Sequence, residues 1–263
     1  MKHLCWLLML GLAVSCGTKG NHKPDNTPAP DTSSIDASTS SDTTATVETL
    51  EDNTFVCRPE GTGPFPAVLY NHGGLAMVVG GNLLDTCKAL ANAGYLARSE
   101  QRAVTESPSI AGHLDEVLNA LTELRSHPDT DNNRIGIMGY SRGGLLSLHA
   151  AIQRPNDVQA ILLMAPAPGG GSTSMDGALA NVSPITAPVR LLVAENDGPP
   201  AQTADHVEIC QEIQTILETA EKTVELIMYP PFADDGHELF FEVDDIYWPD
   251  VLGFLATQLK NDP

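Results

Sequence analysis

The segment Gly139-Tyr140-Ser141-Arg142-Gly143-Gly144 stands between a short apolar run and an amphipathic stretch. A serine with glycine two residues away on either side suits a tight strand-to-helix turn that pushes the hydroxyl outward. The competing use is a plain glycine-rich turn with a capping serine. A hydroxyl is a weak nucleophile, so a base and an orienting acid must come from elsewhere in the chain. His237, in Gly236-His237-Glu238, follows an apolar run and is the expected base. Asp197 closes Ala194-Glu195-Asn196-Asp197 after another such run and is the expected acid. It is preferred to Glu195 because it lies further into the loop. His206 is the rival base, but it falls within a predicted helix, away from any strand end. His113, His127 and His149 belong to or flank helices and read as structural. Asp234 and Asp235 lie too near His237 in sequence to orient it, though they can tune it.

An attacked carbonyl develops negative charge, which needs aimed N–H donors. Asn71-His72-Gly73-Gly74 follows the first core strand, so a backbone N–H near Gly74 and that of Arg142 are the expected oxyanion hole. His72 reads as a brace for this loop. Arg98 and Arg102, after another strand, are candidates for holding a substrate carboxylate together with the Arg142 side chain. Local ion pairs with Glu100 or Glu106 are their competing use. No cofactor and no metal are expected. In Asp129-Thr130-Asp131-Asn132-Asn133, Arg134 stands where a calcium loop needs glycine. Gly169-Gly170-Gly171-Ser172-Thr173 lacks the lysine of a phosphate loop.

The elements that must position these residues alternate. Ala67–Tyr70, Tyr95–Arg98, Arg134–Met138, Ala160–Met164, Val189–Val193 and Val224–Met228 read as short, buried strands. Helices are predicted over Leu83–Asn92, after the Ser107-Pro108 start signal, and over Gly144–Gln153, Gln202–Ala220 and Asp250–Lys260. Apolar strands separated by amphipathic helices imply an α/β class: one domain, with a mostly parallel central sheet and helices on both faces. Only Ala165 to Pro188 is available for a cap over the site. That allows little or no lid, with Met175 and Leu179 flanking an open site.

On the residues NHGG (71–74), GYSRGG (139–144), AEND (194–197) and PPFADDGHELF (230–240), the chain resembles an α/β-hydrolase over roughly Thr54 to Lys260. Within that superfamily it is similar to the dienelactone hydrolase-like group, which shades into prolyl oligopeptidase-type catalytic domains. The resemblance implies a serine hydrolase cleaving small-molecule carboxylic esters. True dienelactone hydrolases use cysteine where this chain has Ser141, which favours ordinary serine ester chemistry. A serine peptidase of the prolyl oligopeptidase type and a non-catalytic surface binder with the same fold are the alternatives.

The chain has 263 residues, 34 acidic and 14 basic, for a net charge of -20. Nucleic acid is excluded as a partner on that balance, because phosphate binding needs excess Lys and Arg. Residues 1–15, with Lys2 and an apolar run from Leu4 to Val14, read as a signal peptide. Ala13-Val14-Ser15-Cys16 resembles a bacterial lipoprotein signal, which implies a lipidated Cys16 and an exported, membrane-anchored protein; simple secretion and an uncleaved anchor are the other readings. Residues 16–50 read as a polar, disordered linker after the lipid, and 51–263 as the hydrolase domain. Cys57, Cys87 and Cys210 allow one disulfide, with the pair left open, or buried free thiols.

Overall fold

The computed structural model describes residues 45–50, 53–74, 80–102, 110–171 and 173–260. Cys16, the signal segment, most of the predicted linker and the Ser107-Pro108 start signal lie outside the described residues.

Ten strands are described: β1 (Thr46–Thr49), β2 (Thr54–Arg58), β3 (Phe65–Asn71), β4 (Leu96–Glu100), β5 (Thr130–Tyr140), β6 (Ala160–Met164), β7 (Gly169–Gly170), β8 (Thr173–Ser174), β9 (Val189–Ala194) and β10 (Val224–Tyr229). Six helices accompany them: α1 (Leu83–Asn92), α2 (Ile110–Ser126), α3 (Arg142–Gln153), α4 (Met175–Leu179), α5 (His206–Thr219) and α6 (Trp248–Leu259). Eight strands form one sheet in the order β1-β2-β4-β3-β5-β6-β9-β10. From β4 to β10 every pairing is parallel, while β1 and β2 add an antiparallel edge. β1 reaches into the segment predicted as linker, so ordered chain begins before residue 51.

Side chains along a strand alternate between faces, and the core divides accordingly. Ala67, Leu69, Ile135, Ile137, Ile161 and Leu163 pack with Leu121 of α2, Leu145 of α3 and Ile213 of α5. Val68, Tyr70, Met138, Leu162 and Met164 pack with Leu90 of α1 and Leu255 of α6. Helices therefore cover both faces, which is why the inner strands are apolar throughout rather than alternating. Each fully buried leucine in these layers contributes roughly 1.5–3 kcal/mol.

Cys57 of β2 and Cys87 of α1 form a disulfide, 30 residues apart, and Cys210 is a buried free thiol. Closing a loop of that size contributes about 3–4 kcal/mol by the chain-entropy argument. The bridge ties the antiparallel edge to a helix. Among the described residues no helix is long and apolar enough to cross a membrane.

The stretch from Ala165 to Pro188 holds only the small β7–β8 hairpin and the five-residue α4. Met175 and Leu179, expected to flank the site, are instead buried in the core beside α3. A short apolar helix gains more by covering α3 than by facing water.

Candidate active site

β5 ends at Tyr140 and α3 begins at Arg142, so Ser141 alone makes the turn between them. Its backbone sits at φ 52°, ψ -118°, a conformation costly for any residue with a Cβ. Two hydrogen bonds hold it there: the Ser141 N–H donates to Met164 O at 2.8 Å, and the Ala167 N–H donates to Ser141 O at 2.9 Å. The Ser141 side chain does not cap α3, which sets aside the capping-serine reading. Gly143 is dictated by close approach, because a Cβ there would stand 1.9 Å from the Asn71 carbonyl oxygen. Asn71 also donates from Nδ2 to Ser147 Oγ at 2.9 Å, which fastens the end of β3 to α3.

Asp197 follows β9 and is fully buried. Nδ1 of His237 lies 3.0 Å from each of its carboxylate oxygens. A neutral imidazole beside a carboxylate carries its proton on the nitrogen facing that carboxylate, which frees Nε2 to accept one. His237 lies in a 3-10 turn, Gly236–Phe240. Asp235 caps that turn by accepting the His237 N–H at 3.0 Å, so its carboxylate serves the backbone rather than the ring. The Tyr140 hydroxyl donates to His237 O at 2.8 Å, and the Tyr140 ring lies 4.8 Å from the imidazole. The base therefore sits against the residue that precedes the serine.

The acid and base loops are stitched together by side chains. Asn196 donates from Nδ2 to Phe232 O at 3.1 Å and accepts from Phe232 N–H at 2.8 Å. Gln202 donates to Asp235. A Cβ on Gly236 would stand 2.7 Å from the Asp197 nitrogen, so glycine is what lets the loops touch. Glu195, the alternative acid, is exposed.

Across the sheet end, Gly73 and Gly80 exchange backbone hydrogen bonds, Gly73 N–H to Gly80 O at 2.7 Å and the reverse at 3.1 Å. That commits the Gly73 donor and leaves Gly74, at φ 77°, as the next peptide of the loop. Arg142 is the first residue of α3, where backbone N–H groups lack intrahelical partners. His72 is buried; its Nε2 accepts the Arg102 N–H at 3.1 Å and its Nδ1 faces Gly73 O. Burial first, then the Arg102 charge, pushes its pKa down to about 3, so it braces the loop as a neutral ring.

The arginines divide. Arg98 is taken up by Glu100, at 2.7 Å, and by Glu123 of α2. Its charge is thereby spent inside the fold, which withdraws it from the predicted substrate-binding set. Arg102 is buried under the oxyanion loop and donates to Gly74 O at 3.3 Å. Among the described residues its Nε and Nη1 have no hydrogen-bond partner, and neither does Arg142 Nη1. Burial, then the neighbouring Arg142 charge, lowers Arg102 to about 10.

His206 departs from expectation. Helix α5 starts there rather than at Gln202, so His206 occupies the helix mouth beside the acid loop. Its ring lies 4.3 Å from that of His237, inclined by 33°. Ligand atoms of Asp197, His206 and His237 lie within 4.8 Å of one another. They read as a hydrogen-bonded cluster, because Asp197 is engaged by His237 and His206 Nδ1 faces Pro166 O at 3.2 Å.

The family model for "Dienelactone hydrolase family" matches residues 53–247. The chain is 31% identical over 110 residues to acyl-coenzyme A thioesterase 3 of Mus musculus, covering 40% of this chain and 24% of that protein. It thus spans about a quarter of the length of the curated relatives it matches. Among solved structures it is similar to dienelactone hydrolase from Anabaena variabilis (TM-score 0.61, 18% identity, 82% of this chain and 99% of that one). It is also similar to dipeptidyl peptidase 4 of Porphyromonas gingivalis (TM-score 0.62, 16% identity, 82% of this chain and 35% of that one).

Proposed function

The chain belongs to the dienelactone hydrolase family, and from that premise we propose that it is a serine hydrolase of small carboxylic esters, exported and held at a membrane by a lipid on Cys16. The observation that carries the catalytic reading is the buried Asp197 gripping Nδ1 of His237 beside the strained Ser141 turn.

In the proposed reaction Ser141 Oγ attacks the ester carbonyl while His237 Nε2 takes the hydroxyl proton. Asp197 keeps the imidazole in the correct tautomer and stabilises the imidazolium that forms. N–H groups of Gly74 and Arg142 donate to the carbonyl oxygen as it takes on negative charge. Collapse of the tetrahedral intermediate expels the alcohol, which leaves with the proton from His237. Water then repeats the sequence on the acyl-enzyme, releasing the acid and restoring Ser141. A thioester would follow the same path with a thiol as leaving group, and the partial match to acyl-coenzyme A thioesterases brings it within the panel to be tested. Lipidation of Cys16 and export rest on the leader's composition alone.

The test is a panel of aryl esters of graded acyl length, an acyl thioester and an aminoacyl arylamide, run on wild type and Ser141→Ala. Turnover of the esters that vanishes in Ser141→Ala, together with labelling of Ser141 by a fluorophosphonate, is the expected result. Arylamide cleavage that outpaces every ester would replace esterase by peptidase. Absence of both turnover and labelling would leave a binding protein.

A further inference from the structure

His206 contacts the machinery at three points. Its backbone N–H donates to Asp197 O at 3.0 Å. Its ring lies 4.3 Å from that of His237. Its Nδ1 stands 3.2 Å from Pro166 O, and because a carbonyl can only accept, Nδ1 carries the proton. The next residue, Ala167, donates its N–H to Ser141 O at 2.9 Å. One buried residue at a helix mouth thus joins the acid loop through its backbone, and the base and the segment that pins the serine turn through its ring. The reading of His237 as base does not use it.

We propose that His206 is a positioning residue for the reaction, whose neutral ring packs against His237 and fixes the imidazole plane that keeps Nδ1 on Asp197 and leaves Nε2 for Ser141. The proposal rests on the reading of His237 as general base. A misplaced base costs far more rate than binding, so the effect belongs in kcat. Neutrality matters too, because a charged ring at this distance would oppose the imidazolium that His237 must become. Burial, then the neighbouring His237, keeps the His206 pKa below the ordinary imidazole value. Asp197 acts on both rings, and Tyr140 packs on His237 from the serine turn. The Asp235 and Glu238 charges of the base turn reach that phenol, and Cys210, one turn further along α5, feels Asp197. None of these groups is a cation.

Three variants separate the ring from its hydrogen bond. His206→Phe keeps an aromatic face without the Nδ1 proton, His206→Gln keeps a donor for Pro166 without a ring, and His206→Ala has neither. We expect kcat on an aryl ester to fall roughly 10- to 100-fold in His206→Ala and His206→Gln with KM within about threefold. His206→Phe should recover to within about fivefold of wild type. Wild-type kcat in His206→Gln would overturn the proposal. NMR of the histidine rings reads the same claim without turnover. The His237 Nδ1 proton should stay sharp in wild type and His206→Phe and broaden by exchange in His206→Gln. A sharp signal in His206→Gln would overturn the proposal even where no ester is hydrolysed, an outcome that would overturn the esterase reading alone.

Discussion

The serine turn and the acid–base loops meet at one site but are held by different physics. Around Ser141 the constraint is main-chain sterics: a positive φ, a glycine with no room for a Cβ, and backbone hydrogen bonds to Met164 and Ala167. Around Asp197 and His237 the constraint is side-chain hydrogen bonding between two loops, through Asn196, Gln202 and Asp235, with the His206 ring packed on His237. The first kind fails abruptly, since atoms either fit or do not. The second fails by degrees, because each bond contributes only about 1 kcal/mol and others remain. Substitutions in the two regions should therefore differ in kind: loss of fold on one side, loss of rate on the other.

Gly143→Ala is the hardest test of the first region. The added Cβ would meet main-chain atoms of Asn71 and His72, which cannot swing aside. The expected outcome is more than about 3 kcal/mol of lost stability, or no soluble protein, read by urea denaturation. A normally stable Gly143→Ala would break the contrast. Asp197→Asn is the matching test of the second region. The shapes are nearly identical, so the fold should persist, while kcat on an aryl ester drops roughly ten-thousand-fold through the wrong imidazole tautomer. Comparable loss of stability in Asp197→Asn would erase the distinction.

Acid should expose a link between the regions. His72 braces the serine side and His206 the base side, and both have folded-state pKa values below the ordinary imidazole value. The unfolded chain therefore binds more protons than the native one as pH falls. Their contribution is complete above the unfolded value near ~6.5 and is lost as pH falls through it toward the folded value, about 3 for His72. The urea midpoint of wild type should fall between those pH values, and that of His72→Asn should fall less steeply. Equal slopes would mean that His72 is hydrated in the native state. Asn196→Ala should act more mildly, costing roughly 1–3 kcal/mol and about tenfold in kcat as the Phe232 backbone loses its partner.

The same division decides what the sequence made legible. Runs such as AVLY and AILLM are apolar throughout because both sheet faces are covered, so six of the parallel strands can be read within a few residues. Glycine spacing around Ser141 is a steric signature and survives in the sequence. β1 is a polar edge strand, TVET, whose composition matches a linker; only its pairing with β2 makes it a strand. The Cys57–Cys87 bridge depends on how β2 and α1 pack, which no spacing rule encodes. His206 was hidden for a similar reason. A helix begun at Gln202 would carry it away from the loop, whereas the Asp205 cap makes His206 the first residue of α5, with its ring 4.3 Å from that of His237.

Tyr140 belongs to both regions and gives the finest test of their separation. It is the last residue of β5, buried to 1% exposure, and its backbone leads directly into the Ser141 turn. Its hydroxyl reaches the His237 carbonyl at 2.8 Å, while its ring lies 4.8 Å from the imidazole. Burial, then the carboxylates led by Asp197, pushes the phenol pKa upward, so it donates as a neutral hydroxyl. Tyr140→Phe keeps the ring and removes one hydrogen bond, which should cost about 0.5–1.5 kcal/mol in urea denaturation. If ring packing sets the imidazole plane, kcat should change less than threefold. A tenfold fall in kcat at nearly unchanged stability would instead show that the hydroxyl aims the base, making the serine turn and the base loop one mechanical unit.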